Sequence, residues 1–309
     1  MATLRTPAPY ITPEILRNSV TGISWQTIPA RNSTAAQQEA EQWNICQRAS
    51  AMVDAEVNQR IRATVSTETF LGPDYRVTVR GSTNAVNVIL SRKPILEVTA
   101  GQWAYANPPL TWSAIPADAF VVNQPSPGIY AGVPGIGDAG ESGQSVTLGG
   151  GYITWWNGRN GMFLKISYVS GYPHCILTQD APAGSTALTV DDCTGWYPST
   201  LPPPGASGIV YDAGDEETIE CIGTSVTAGA GSLLLGAPTA FEHQAGTLIS
   251  TLPAQLMQAT ILFAISQAIV RGATATGTQS LTGTAIHGDA PEVFASEAEL
   301  LCKPYARVT

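Results

Sequence analysis

Between Pro173 and Pro253 the chain has no lysine or arginine, yet it holds nine acidic side chains (Asp180, Asp191, Asp192, Asp212, Asp215, Glu216, Glu217, Glu220 and Glu242). This one segment carries the whole formal charge of −9, because the other 15 acidic residues balance the 15 Lys and Arg. So sharp a break in charge marks a domain boundary. It divides the 309 residues into a flanking part, 1–173 with 252–309, and an inserted unit, 174–251.

The flanks read as helical at both ends. Thr12-Pro13-Glu14 has the form of a helix start, with a hydroxyl to cap free N–H groups and a proline where no N–H is needed. A longer helix is predicted from about Thr34 to Ile61, where Cys46, Ala49, Val53, Val57 and Ile61 recur at helical steps. A third begins near Leu252, and a last one runs from Asp289-Ala290-Pro291-Glu292 to about Leu301. Between these ends the texture alternates. Residues 64–90 read as a hairpin, and further strands are predicted at 95–99, 120–122, 152–155 and 163–169, around a Gly- and Pro-rich loop at 124–151. The insert reads as short strands at 187–190, 208–211, 217–222, 233–235 and 247–249, forming a small β-barrel or sandwich. It also contains an internal echo, Ala183-Gly184-Ser185-Thr186-Ala187-Leu188 against Ala228-Gly229-Ala230-Gly231-Ser232-Leu233.

Hydrophobic residues make up 44% of the chain, enough for a sizeable core, while charged residues are only 13% against about 25% in ordinary domains. A surface so poor in charge suits a subunit that is covered by neighbours. The acidic balance argues against binding nucleic acid through its phosphates, which takes clustered Lys and Arg. The cysteines at 46, 175, 193, 221 and 302 are odd in number and form no C-x-x-C pair, so they read as buried, reduced thiols. No apolar leader follows Met1, which points to synthesis in the cytoplasm. The uncharged run Leu252–Val270 contains Gln255, Gln258 and Gln267, and it reads as an interface or core helix, not a membrane span.

Chemistry-bearing motifs fail on context. Gly135-Ile136-Gly137-Asp138-Ala139-Gly140 matches G-x-G-x-x-G but lacks the strand before it and the helix after it. None of the three lysines follows a glycine, as a Walker loop requires. His174, His243 and His287 stand in no recognisable catalytic setting. Asp215-Glu216-Glu217 beside Gly214 reads as a solvated turn. No catalytic, cofactor-binding or metal-binding residue is therefore assigned, and the chain reads as a non-enzyme.

Four segments carry a resemblance. Leu90-Ser91-Arg92-Lys93-Pro94-Ile95-Leu96-Glu97-Val98 is similar to "L-x-R-x-P-V-x-x-V". Leu164-Lys165-Ile166-Ser167-Tyr168-Val169-Ser170-Gly171-Tyr172 is close to "V-x-Y-x-A-G-Y". The helix start Leu252-Pro253-Ala254-Gln255-Leu256 follows. Last comes Leu300-Leu301-Cys302-Lys303-Pro304-Tyr305-Ala306-Arg307, similar to "L-L-x-P-Y-R-R". In this order they resemble the head-tail connector (adaptor) proteins of long-tailed double-stranded DNA phages, with the acidic unit inserted before the third segment.

The resemblance implies an α+β fold, with a connector-type helical core, a β hairpin and the inserted all-β domain. It also implies a virion neck protein that forms a ring, usually of twelve copies. Such a ring docks on the portal protein, receives a stopper or tail-completion protein, and passes DNA without specific binding, with no cofactor and no membrane. By the same analogy Leu300, Leu301, Lys303, Pro304, Tyr305 and Arg307 face the portal. An alternative function is a tail-tip receptor- or glycan-binding protein that stacks sugars on Trp155, Trp156 and Trp196.

Overall fold

Thr12 and Thr34 each lie in extended backbone and turn a hydroxyl oxygen onto a free N–H of a first helical turn, accepting from Ile15 and Gln37 respectively. In the computed structural model they open α1 (Pro13–Asn18) and α2 (Ala35–Glu56). The Thr34 N–H donates in return to the Gln37 side chain, which completes a capping box. α2 stops short of the expected Ile61, because Asn58 turns to a φ of 52°. The structure describes residues 7–19, 23, 25, 28, 33–71, 77–80, 85–105, 109–123, 145–148, 162–197, 206–270 and 291–306. The expected strand at 152–155 and much of the loop at 124–151 lie outside them.

Beyond α2 the chain is dominated by strands: β1 (Thr64–Leu71), β2 (Val77–Arg80), β3 (Ala85–Val88), β4 (Ile95–Tyr105), β5 (Ser113–Ile115), β6 (Phe120–Asn123), β7 (Ser145–Leu148) and β8 (Met162–Ser170). They form two four-stranded antiparallel sheets, ordered β1-β8-β4-β5 and β2-β3-β7-β6. Only β2 and β3 of the expected hairpin pair with each other. β1 instead runs unbroken against β8, from Thr64 opposite Ser170 to Leu71 opposite Phe163. This register brings Phe70 opposite Leu164, and both are buried in a core with Leu90, Ile95, Val98 and Ile166.

The expected architecture, a connector-type helical core with a hairpin and one inserted β module, is therefore wrong. The protein is mostly β, with four α-helices against fourteen strands among the described residues. The physical reason is that the central strands are long and one-sided in their burial. β4 alone runs 11 residues, and the apolar faces it shares with β1 and β8 close a core of their own. Strands with that much apolar area need no helix bundle beneath them. The helices gather in a separate cluster, where Ile45, Ala49 and Val53 of α2 meet α3 (Ala254–Val270) and α4 (Pro291–Cys302). α3 is apolar nearly all round and correspondingly enclosed, with Leu256, Ala259, Leu262, Phe263 and Ile265 buried. Among the described residues no helix is long and apolar enough to cross a membrane.

The acidic unit builds the third sheet. β9 (His174–Ile176), β10 (Ala187–Val190), β11 (Ser207–Tyr211), β12 (Glu217–Thr224), β13 (Gly231–Leu235) and β14 (Leu248–Ser250) lie in the order β10-β13-β12-β11-β14-β9. The two edges meet, since Leu177, just past β9, bridges Val190, and the Thr178 N–H donates to the Thr189 carbonyl at 2.9 Å. The sheet thus curls into a small barrel around Cys175, Leu188, Trp196, Val210, Cys221 and Ile249.

Exchanging β9 with β12, β10 with β13 and β11 with β14 leaves the order of neighbours around this barrel unchanged. The internal echo is the visible trace of that symmetry. Its glycines, Gly184 and Gly229, both take a positive φ, 87° and 79°, a backbone that side chains with a Cβ resist. Its leucines, Leu188 and Leu233, sit directly opposite each other across β10 and β13, both fully buried.

The barrel enters and leaves the chain at one place. His174 pairs with Ser250, and the Thr251 N–H donates to the Pro173 carbonyl at 3.0 Å. On the outside of the barrel wall, Ile176, Tyr211 and Leu248 pack against the helical cluster.

Candidate functional site

The segment just after α2 is where distant parts of the chain converge. Gln59 donates from Nε2 to the Tyr305 carbonyl and accepts at Oε1 from the Lys93 N–H, each at 3.2 Å. The Ile61 carbonyl accepts from the Tyr172 N–H at 2.8 Å, and the Tyr172 carbonyl accepts from the Ala63 N–H at 2.7 Å. Gly171, at a φ of 107°, donates to the Pro94 carbonyl at 2.8 Å, and a Cβ there would lie 2.5 Å from the Arg62 carbonyl oxygen. The Tyr305 hydroxyl donates to Gln255 Oε1 at 2.8 Å. Lys93, Gly171, Gln255 and Tyr305 belong to the four segments singled out in the sequence, and all four meet at this joint.

The N-terminal segment enters the same joint. The Tyr10 hydroxyl donates to Asp54 Oδ1 at 2.5 Å and accepts from the N–H groups of Ile61 and Arg62. Burial pushes both groups upward: the Tyr10 phenol, further raised by the Asp54 charge, and the Asp54 carboxyl, which its hydrogen bonds from Tyr10 and Ile61 pull partly back. Tyr10 also stands edge-on to His174, ring centroids 5.6 Å apart.

His174 is fixed as a neutral ring. Its Nε2 must donate to the Pro9 carbonyl at 2.8 Å, since a carbonyl only accepts, and its Nδ1 accepts from the Ser250 hydroxyl at 2.9 Å. Burial holds its pKa down at about 4, although the Pro9 hydrogen bond opposes the shift. Beside it, Asp192 accepts from the Thr194 N–H, the Thr194 hydroxyl and the Gly229 N–H, and its other oxygen lies 3.9 Å from Arg62 Nη2. Arg62 thus ties the end of α2 to the barrel.

The six C-terminal residues expected to face a partner divide by exposure. Leu300 is 60% exposed, Lys303 and Pro304 are exposed, Leu301 is partly buried on the helical core, and Tyr305 is buried in the joint. Arg307 lies outside the described residues. Trp196, offered as a sugar-stacking surface, is instead fully buried in the barrel core, where its ring packs against Gly208. Trp155, Trp156, His287 and the glycine motif at 135–140 lie outside the described residues. All five cysteines are free and buried, with the Cys46 and Cys302 thiols pushed up to about 12 by burial, as inert structural thiols are.

One arrangement was not legible as a motif. The turn joining β11 to β12 exposes Asp215 and Glu216, as a solvated turn should, but Asp212 and Glu217 turn inward onto His243. This ring is fully buried, with Nδ1 3.0 Å from Asp212 Oδ2 and Nε2 2.6 Å from Glu217 Oε1. The second Glu217 oxygen accepts from the Ala240 N–H at 2.8 Å, and the His243 backbone pairs with Ala181 in both directions. Asp212 and Glu217 stand 31 and 26 residues from His243 in sequence. The only hint in the sequence was a histidine in a segment rich in acid and devoid of Lys and Arg.

With both ring nitrogens committed in each case, His174 and His243 serve the fold. Among the described residues no group of three or more His, Cys, Asp or Glu is placed to hold a metal ion. No family model, curated protein or solved structure matches the chain.

Proposed function

We propose that this chain is a structural subunit of the neck of a long-tailed double-stranded DNA phage, assembled in the host cytoplasm and resident in the virion between head and tail. Its copies form a ring, twelve by family analogy, that seats on the portal protein, receives a stopper or tail-completion protein and continues the DNA channel. The observation that carries this reading is the convergence of the four resembling segments on the residues after α2, linked through Gln59, Gly171 and Tyr305. The four segments lie far apart in the sequence and are held together there by direct hydrogen bonds. The low charge fits a subunit flanked by copies of itself, and an acidic barrel adds like charge that keeps DNA moving past.

The portal contact belongs to the exposed part of the C-terminal segment, Leu300, Lys303 and Pro304, while Leu301 and Tyr305 anchor it from within. Truncating the whole segment would therefore damage the fold as well as the contact, and point variants at the exposed positions separate the two. Leu300→Asp combined with Lys303→Glu is expected to abolish co-sedimentation with portal rings while circular dichroism and melting stay unchanged. Undiminished co-sedimentation would remove these residues from the contact. Immunogold on intact particles tests the larger reading, since label at a tail tip, and none at the neck, would overturn it.

A further inference from the structure

His243 is a side chain whose partners demand a particular proton count. A neutral imidazole carries one N–H, yet both nitrogens of this ring face a carboxylate oxygen at hydrogen-bonding distance, 3.0 Å and 2.6 Å. A lone pair pointed at a carboxylate oxygen from a fully buried ring is repulsive, so both nitrogens must donate or a carboxyl group must hold the extra proton. The surroundings decide between these. The elements packed on the ring offer, besides Asp212 and Glu217, the ionisable groups Tyr211, Asp215 and Glu216 on the turn, Asp180 on the segment that pairs with it, and Glu242 on its own loop. No Lys or Arg occurs anywhere from 173 to 253 to compete as the cation.

We propose that a proton held on His243 is a structural part of the barrel. The resulting imidazolium clamps the acidic β11–β12 turn onto the loop at 239–246, and this corner opens when the proton is lost in alkaline solution. Burial alone would pull the His243 pKa down, but the hydrogen bonds and charges of Glu217 and Asp212 outweigh it and hold the value above the usual histidine range. A folded-state value raised in this way gives stability that is fully present below the unfolded pKa of about 6.5 and fades as pH rises through the folded value. The clamp therefore works in neutral and mildly acidic solution. The inference stands apart from the neck assignment and would hold for any function of the chain.

Nitrogen-15 labelling of histidine in the full chain, read by long-range proton–nitrogen spectra at pH 7, tests it directly. His243 is expected to show two protonated ring nitrogens, and His174 a single N–H on Nε2 as an internal contrast. A neutral His243 ring in the folded protein at pH 7 would overturn the proposal, because the proton would then sit on a carboxyl group. Thermal unfolding supplies the second readout. His243→Gln is expected to lower the melting temperature by about 5 °C at pH 6 and to flatten the decline that the clamp predicts for the wild type in alkaline solution. Parallel profiles for the two proteins would also overturn it. Should His243→Gln fail to fold, Asp212→Asn keeps the Glu217 contact and is expected to move the His243 titration to lower pH. An unmoved titration would count against the clamp.

Discussion

The barrel buries two histidines whose pKa values move in opposite directions, for reasons visible in their surroundings. His174, at the root where the unit joins the chain, meets a carbonyl and a hydroxyl, which together ask for one N–H and one lone pair. His243, among the turns, meets two carboxylates. Burial alone would push both toward the neutral form. What differs is the charge opposite the ring: burial prevails at His174, whereas the two carboxylates outweigh it at His243. The root is held by neutral hydrogen bonds, strand pairing and packing, whereas the turn corner is held by charge.

If the root is over-determined in this way, its most constrained backbone position should give the largest effect. Gly171 combines a φ of 107° with carbonyl oxygens 2.5 and 2.6 Å from where a Cβ would stand. Gly171→Ala cannot relieve the contact by turning a side chain, because the obstacle is backbone. It is expected to cost about 4 kcal/mol, read as a lower urea midpoint, and to disturb Pro94 and Tyr172 together. A loss under about 1 kcal/mol would mean that the joint can relax and is not the rigid element described.

The contrast between the histidines sharpens with pH, since they penalise opposite ends of the scale. The His174 pKa, about 4, lies below the unfolded value of about 6.5. The unfolded chain therefore binds the proton first, and stability falls as pH drops from 6.5 through 4. That difference between the folded and unfolded values corresponds to about 3 kcal/mol. His174→Ala strands the Pro9 carbonyl and leaves a hole against Tyr10, so it is expected to cost about 3 kcal/mol at pH 8. It should also remove most of the acid slope. Chemical denaturation of wild type and variant at pH 8, 6 and 4.5 measures both, and an unchanged acid slope would assign it to other groups.

Local signals in this chain were readable and distant ones were not. The hydroxyl caps at Thr12 and Thr34 act within three residues, and the strands of the acidic unit could be read from alternation. The echo at 183–188 and 228–233 showed one of the three strand pairs that the barrel's symmetry exchanges, β10 and β13. The other two pairs, β9 with β12 and β11 with β14, have no matching sequence echo. Reading residues 64–90 as one hairpin failed because nothing local distinguishes β3 from β8 as the partner of β1. Their pairing spans 100 residues. The Gln59–Tyr305 link spans 246 residues, and no spacing rule reaches that far. The six C-terminal residues were readable as a segment, but helix packing decides which of them point outward.

The smallest effect expected at the root is also the one that tests whether charge matters there at all. Arg62 and Asp192 stand 3.9 Å apart with side chains about 21% and 19% exposed, so water screens the pair and its worth is at most about 1 kcal/mol. Asp192 keeps its three hydrogen bonds to Thr194 and Gly229 without Arg62, so removing the arginine leaves no stranded acceptor. Arg62→Ala should therefore lower stability by less than about 1 kcal/mol, and the loss should shrink as salt rises. His243→Gln differs in kind, because two carboxylates at hydrogen-bonding distance lose the one fully buried cation that they share. Equal and equally salt-sensitive losses in the two variants would erase the distinction between a root held by packing and a corner held by charge. A small, screened loss at Arg62 beside a larger, salt-insensitive one at His243 would establish it.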